Sequence, residues 1–296
     1  MTLPTIFCPQ CDAVILDAAQ CPACQWRRPV VTGLVGKPIW AVALEVKLSR
    51  QGAHPAAAGR FVYFSTDKGQ LIALDTGVAE AEDSLLWRRQ LDHRYNCDSI
   101  AAWRECLLPG LEYTGGFPAP QAELALLSAE TGDDVWRYPV EGVSFSTPAV
   151  YGDMAFFAVN TGWLYAVDLA ARQELWRQKI EASWSWAPAA PLLTPTGLLI
   201  LPARSDRLIA FDVEKKEIAW TFSAAGWFPH TPVWVEGVIY TRCWDHHVYA
   251  LEAAGGREIW RQPAPRDYSS DLWVEGDHLY IGVKDYRDDA ASGPPA

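Results

Sequence analysis

The sequence predicts an all-β fold built from one repeated four-stranded unit, with a small separate module in front of it. Three observations predict this. An apolar residue followed by tryptophan recurs at Trp40, Trp87, Trp136, Trp176, Trp220 and Trp260, in steps of 47, 49, 40, 44 and 40 residues. Upstream of the last five lies a strand pattern ending in an acidic or small polar residue, as in Leu71-Ile-Ala-Leu-Asp75 and Leu208-Ile-Ala-Phe-Asp212. Two Cys-x-x-Cys pairs open the chain at Cys8/Cys11 and Cys21/Cys24. Four short strands in roughly 40–45 residues is the period of a β-propeller blade.

The first element in order is the cysteine module. Cys8-Pro-Gln-Cys11 and Cys21-Pro-Ala-Cys24 stand nine residues apart, the spacing of two knuckles that close on one tetrahedral zinc. The residues between, Asp12 to Gln20, suit a short hairpin that returns the chain. Two disulfides would need an exported chain, and Met1 to Phe7 has no positive n-region. A redox Cys-x-x-Cys would need a βαβ context, which the pattern lacks. Four protein thiolates leave no open position for a catalytic water, so the expected zinc is structural, one per chain. The segment resembles the short bacterial zinc ribbons of the form F-C-P-x-C … C-P-x-C, and departs from them at Asp12 and Gln25. Trp26, Arg27 and Arg28 beside it offer only a thin nucleic-acid contact.

The repeats follow. Between each patterned strand and its tryptophan sits a turn: Thr76-Gly77, Thr131-Gly132, Ala171-Arg172, Lys215-Lys216 or Gly255-Gly256. Asp75, Asp168 and Asp212 are placed to accept that turn's backbone N–H groups. The repeat resembles the quinoprotein-type, or PQQ-like, propeller family, whose motif reads A-x-D-x-x-T-G-K-x-x-W. Ala166, Asp168 and Trp176 match it, as do Ala210, Asp212 and Trp220, Ala250, Gly256 and Trp260, and Thr131, Gly132 and Trp136. The resemblance implies that each tryptophan is wedged between neighbouring blades, stacked on the next blade's turn.

Five full repeats run from His54 to Pro263. Tyr268 to Val283 supplies two further strands, and Arg28 to Leu48 a tryptophan-bearing strand pair; together they make one composite closing blade. The expectation is six blades, or seven if a degenerate one escapes recognition. The domain plan is a zinc ribbon over 1–27, a propeller over 28–285 and a disordered tail over 286–296.

Composition narrows the function. Half of the residues are hydrophobic and 21% charged, which excludes wholesale disorder. The net charge is −11, so nucleic acid is an improbable partner for the whole chain. Ser183 to Ala203 carries no charge, but Pro188, Pro191, Pro195 and Pro202 argue against a membrane helix. The enzymes of the PQQ-like family generally have a vicinal Cys-Cys pair, and no two cysteines are adjacent here. The resemblance therefore implies the scaffold without PQQ. Cys97 and Cys106 are expected as free thiols: a turn at Trp103–Arg104 would set Cys97 opposite Gly110 and Cys106 opposite Ala101.

Cys243-Trp-Asp245-His246-His247 holds metal-ligating types, but it reads as a turn between two strands, where ligands scatter. Aligning first strands brings Asp98, Trp186 and His230 to a channel mouth that could take a small ligand. The longer loop Leu111 to Gln121 offers Tyr113 and Phe117 for a partner. The leading expectation is a non-enzymatic, monomeric, cytoplasmic interaction scaffold, a subunit of a larger bacterial assembly with unnamed protein partners and no membrane contact. The competing one is a small-ligand sensor or degenerate quinoprotein-like enzyme at the channel mouth.

Overall fold

The computed structural model describes residues 6–7, 14–15, 55–78, 81–114, 122–144, 146–181, 189–202, 206–264, 268–275 and 278–283. The chain divides into two units, Met1–Ala43 and Leu44–Ala296. In the first, β1 (Ile6–Phe7) pairs antiparallel with β2 (Val14–Ile15), Phe7 opposite Val14. Cys8, Cys11, Cys21 and Cys24 lie outside the described residues, as do Trp26, Arg27, Arg28 and Trp40.

The second unit is a succession of antiparallel meanders. Sheet one comprises β3 (Ala56–Ala58), β4 (Phe61–Ser65), β5 (Gln70–Asp75) and β6 (Leu85–Gln90). Sheet two comprises β7 (Tyr95–Trp103), β8 (Cys106–Tyr113), β9 (Glu123–Ser128) and β10 (Asp134–Pro139). Sheet three runs β11 (Ala149–Tyr151), β12 (Met154–Ala158), β13 (Trp163–Asp168) and β14 (Gln173–Lys179). Sheet four runs β15 (Leu192–Leu193), β16 (Leu198–Pro202), β17 (Arg207–Asp212) and β18 (Glu217–Ser223). Sheet five is β19 (Val233–Val235), β20 (Val238–Cys243), β21 (His247–Glu252) and β22 (Glu258–Pro263). A two-stranded sheet, β23 (Tyr268–Glu275) and β24 (His278–Val283), follows. The uncharged stretch that ends at Ala203 thus supplies β15 and β16, and no helix among the described residues is long and apolar enough to cross a membrane.

The apolar runs of the second and third strands have a direct cause: both faces of these strands are buried. In β9, Ala125 and Leu127 pack toward sheet one, whereas Leu124 and Leu126 pack toward sheet three. In β16, Leu199 and Leu201 meet sheet three, and Leu198 and Ile200 meet sheet five. A strand buried on both sides reads as continuous rather than alternating hydrophobicity.

The spacing of the repeat motif comes from a bulge. In all five sheets the register between third and fourth strands shifts just before the tryptophan. Trp87 lies opposite Ala73, Trp176 opposite Ala166, Trp220 opposite Ala210 and Trp260 opposite Ala250. The extra residue twists the outer strand, and the small alanine leaves room for the indole to cross it. Only sheet two has a larger partner, Leu126 opposite Trp136.

The acidic caps are as expected. Asp75 accepts from Gly77 N–H (2.8 Å), Asp168 from Ala171 N–H (2.8 Å) and Asp212 from Lys215 N–H (2.9 Å). One register differs from the sequence expectation. Trp103 pairs with Cys106 and Ser99 with Gly110, so the turn is Arg104–Glu105, not Trp103–Arg104. Arg104 adopts φ 51°, the left-handed region, and this moves the hairpin tip by one residue. Cys97 falls in a bulge, and Cys97, Cys106 and Cys243 are all free thiols.

A candidate interaction surface at one end of the sheets

In an antiparallel meander, the turn between second and third strands and the link to the next sheet emerge at the same end of the strands. The described polar and aromatic residues of interest collect at that end of sheets four and five. The link after β18 folds onto the β20–β21 turn. Trp244 N–H donates to Trp227 C=O (2.9 Å), and Ala225 N–H donates to the Asp245 carboxylate (3.4 Å). The approach is close enough to require glycine: a Cβ on Gly226 would lie 2.5 Å from Asp245 N and 2.9 Å from Trp244 C.

Asp245 organises this corner. Its carboxylate also accepts from His247 N–H (3.1 Å) and from the Tyr249 hydroxyl, while His247 Nδ1 sits 3.0 Å from the Asp245 carbonyl. Burial works against ionisation of Asp245, but hydrogen bonds from Tyr249, the Cys243 thiol and Ala225 outweigh it and hold the carboxyl below its usual range. Burial pushes the Cys243 thiol up to about 12, with Asp245 adding to the effect, so it is no nucleophile at neutral pH. The same causes raise Tyr249. The segment is therefore a turn, as the sequence suggests, and no cluster of metal-ligating side chains occurs among the described residues.

Two indoles cap the corner. Trp227 and Trp244 stack with ring centroids 5.0 Å apart and planes 28° from parallel. They are 39% and 45% exposed, whereas Phe228 between them and the core is fully buried. Phe228 packs edge-on against Phe222 and Tyr249. The sequence gives no sign of this pairing, because residues 227 and 244 meet only through the fold.

The other sites named from sequence lie only partly within the described residues. His230 is half-buried in the same link between β18 and β19. Asp98 lies within β7, its side chain outside the described residues, and Trp186 is wholly outside them. Tyr113 is the last residue of β8, not part of an open loop: it pairs with Tyr95, and the rings meet at 6.0 Å, nearly perpendicular. Such an aromatic pair on neighbouring strands stabilises the end of the sheet. Phe117 lies outside the described residues.

With this geometry in place, comparison with known proteins is informative. Residues 160–287 match the family model described as outer membrane protein assembly factor BamB. BamB of Yersinia pestis is 22% identical over 264 residues, which cover 82% of this chain. This chain spans 64% of that relative's length. Among solved structures, BamB from Moraxella catarrhalis superposes with a TM-score of 0.59 at 16% identity, covering 78% of this chain and 68% of that one. The computationally designed Ika8 protein gives 0.63 at 11% identity, covering 78% and 67%. These likenesses show the fold: the repeat and its four-stranded sheets are BamB-like, of the PQQ-like propeller kind.

Proposed function

We propose that the chain is a non-enzymatic scaffold that holds protein partners within a larger assembly. The observation that carries this reading is the Trp227–Trp244 stack. Phe228 does the packing, Asp245 fixes the loop, and the two indoles are left at the surface. Exposed aromatics on a rigid support are a common form of protein contact. The likeness to a protein named as an assembly factor supports the same role.

The reading extends to the ends of the chain. Six blades is the count proposed for the ring. Cys8, Cys11, Cys21 and Cys24 hold one structural zinc, and no PQQ is used. The β1–β2 pairing suits this donor set, because it encloses residues 8–13 and hence the first Cys-x-x-Cys in one hairpin connection. Four thiols that must remain reduced favour the cytoplasm, and cell fractionation decides between that compartment and the outer membrane named for the relative.

Affinity capture of the full chain from native extract tests the scaffold. Stoichiometric co-purifying protein is expected. A saturable thermal shift with a quinone, sugar or metal screen and no captured protein would instead favour a ligand sensor. Elemental analysis should find about one zinc per chain, lost with Cys8→Ser and Cys11→Ser, while the unfolding transition of the sheets persists.

A further inference from the structure

The link between β18 and β19 is held differently from the sheets on either side of it. Residues 224–232 contain no regular element, and Pro229 and Pro232 supply no N–H. At the start of the link Ala224 N–H donates to Asp206 C=O (2.8 Å), and near its end Thr231 Oγ1 accepts from Ala190 N–H (3.1 Å). Between these points it is tied to the β20–β21 turn by Ala225 N–H on the Asp245 carboxylate and by Trp244 N–H on Trp227 C=O. Phe228 is its fully buried aromatic anchor, seated against Phe222 and Tyr249.

The link runs directly over the Cys243 thiol. A Cβ on Gly226 would lie 3.2 Å from Cys243 Sγ, and Gly226 N–H donates to that sulfur. The thiol in turn donates to the Asp245 carboxylate. One carboxylate thus fastens the link, the turn and the thiol beneath them. Lifting the link would break these few bonds and unseat Phe228, yet leave the β20–β21 ladder, from Val238↔Glu252 to Cys243↔His247, intact. A segment held by so few bonds opens at a lower free energy than the sheets that carry it.

We propose that residues 224–232 are a strap that opens and closes as a unit while the sheets stay folded, with Asp245 as its latch. Closed, the strap sets Trp227 beside Trp244 and covers Cys243. Open, it separates the two indoles and uncovers Cys243, Tyr249 and the seat of Phe228. The device decides which surface this corner of sheets four and five shows. It stands or falls independently of the scaffold reading, because its test needs no partner.

The test uses the full chain and iodoacetamide in excess, with labelling of Cys243 read by peptide mass spectrometry across a urea series. Circular dichroism follows unfolding of the sheets in the same series and supplies the full slope with urea. At low urea Cys243 should label about a hundredfold more slowly than an unfolded thiol, at a rate nearly flat in urea. It should join the full slope only near the unfolding midpoint. Asp245→Ala removes the latch and should raise the flat rate about tenfold, whereas Asp245→Asn keeps an acceptor oxygen and should raise it less. Three results would each overturn the proposal. One is labelling that follows the full slope at every urea concentration, and another is labelling at the unfolded rate in the folded chain. The third is an unchanged rate in folded Asp245→Ala. Should that variant not fold, the urea series on the parent chain decides alone.

Discussion

The joints between neighbouring sheets are of two kinds. At the joints of sheets one with two and four with five, the turn carries glycine in the left-handed region: Gly132 at φ 75° and Gly256 at φ 69°. The indole of the preceding sheet lies directly on that glycine. A Cβ would meet the Trp87 ring at 3.1 Å and the Trp220 ring at 2.5 Å. Each indole N–H then donates to the alanine carbonyl three residues earlier, Trp87 to Ala129 and Trp220 to Ala253, both at 2.9 Å. At the joints of sheets two with three and three with four, Arg172 and Lys216 occupy the same left-handed position, and Leu169 and Val213 replace the alanine.

There the tryptophans use side chains instead. Trp136 packs with Leu169 and lies tilted against Tyr138, and Trp176 meets Phe211 at 5.7 Å. Other links cross these joints. Trp103 and Arg104 both bond Asp153, and the Tyr151 hydroxyl accepts from Leu193 N–H at 2.7 Å. The contrast teaches that the repeat's tryptophan is a constant, while one turn residue decides how it docks. Trp260 differs again: it is 36% exposed and its ring neighbour is Tyr240 of its own sheet.

The largest effect expected is at a glycine joint. Trp220→Ala should cost about 4 kcal/mol in urea unfolding, and Trp176→Ala, half-buried and without that carbonyl bond, about half as much. Equal losses would erase the distinction between the joints. Gly256→Val should cost about 3 kcal/mol, combining left-handed strain with a clash against the Trp220 ring. Tyr151→Phe, which removes the acceptor for Leu193 N–H, should cost about 1 kcal/mol at the other kind of joint. Arg172→Gly should change stability by less than about 0.5 kcal/mol, because relief of left-handed strain is offset by the entropy glycine loses on folding.

The smallest effect is electrostatic. Asp134 pairs across the first joint with Arg89 at 3.1 Å. Burial opposes its ionisation, but hydrogen bonds from Arg89 and Arg137 prevail and depress its pKa. A depressed carboxylate contributes stability above its unfolded pKa and loses it as pH falls through the folded value. With Asp134 partly exposed, the loss should be a few tenths of a kcal/mol below about pH 4, and Arg89→Gln should flatten it.

Much of this was legible in the sequence, for physical reasons. A strand buried on two faces must be apolar throughout, so all five third strands could be read, together with the acidic caps Asp75, Asp168 and Asp212. The Trp–Ala crossing is written in the motif, although the bulge that makes it possible is not. Non-glycine residues in the left-handed region left no trace, and the Arg104 turn was displaced by one residue as a result. Tyr113 reads as loop because Gly and Pro follow it, yet its ring is fixed by Tyr95 from another strand. Asp245 and the Trp227–Trp244 stack depend on two connections meeting in space, which local pattern does not encode.

The function reading makes one demand above all others: the chain must be found in company. Sedimentation or native size determination of this protein in gently prepared extract tests that most directly. The scaffold account predicts a species larger than the 32.9 kDa chain, reduced to monomer only by dissociating conditions such as high salt. A protein that runs solely as free monomer under every condition would contradict it.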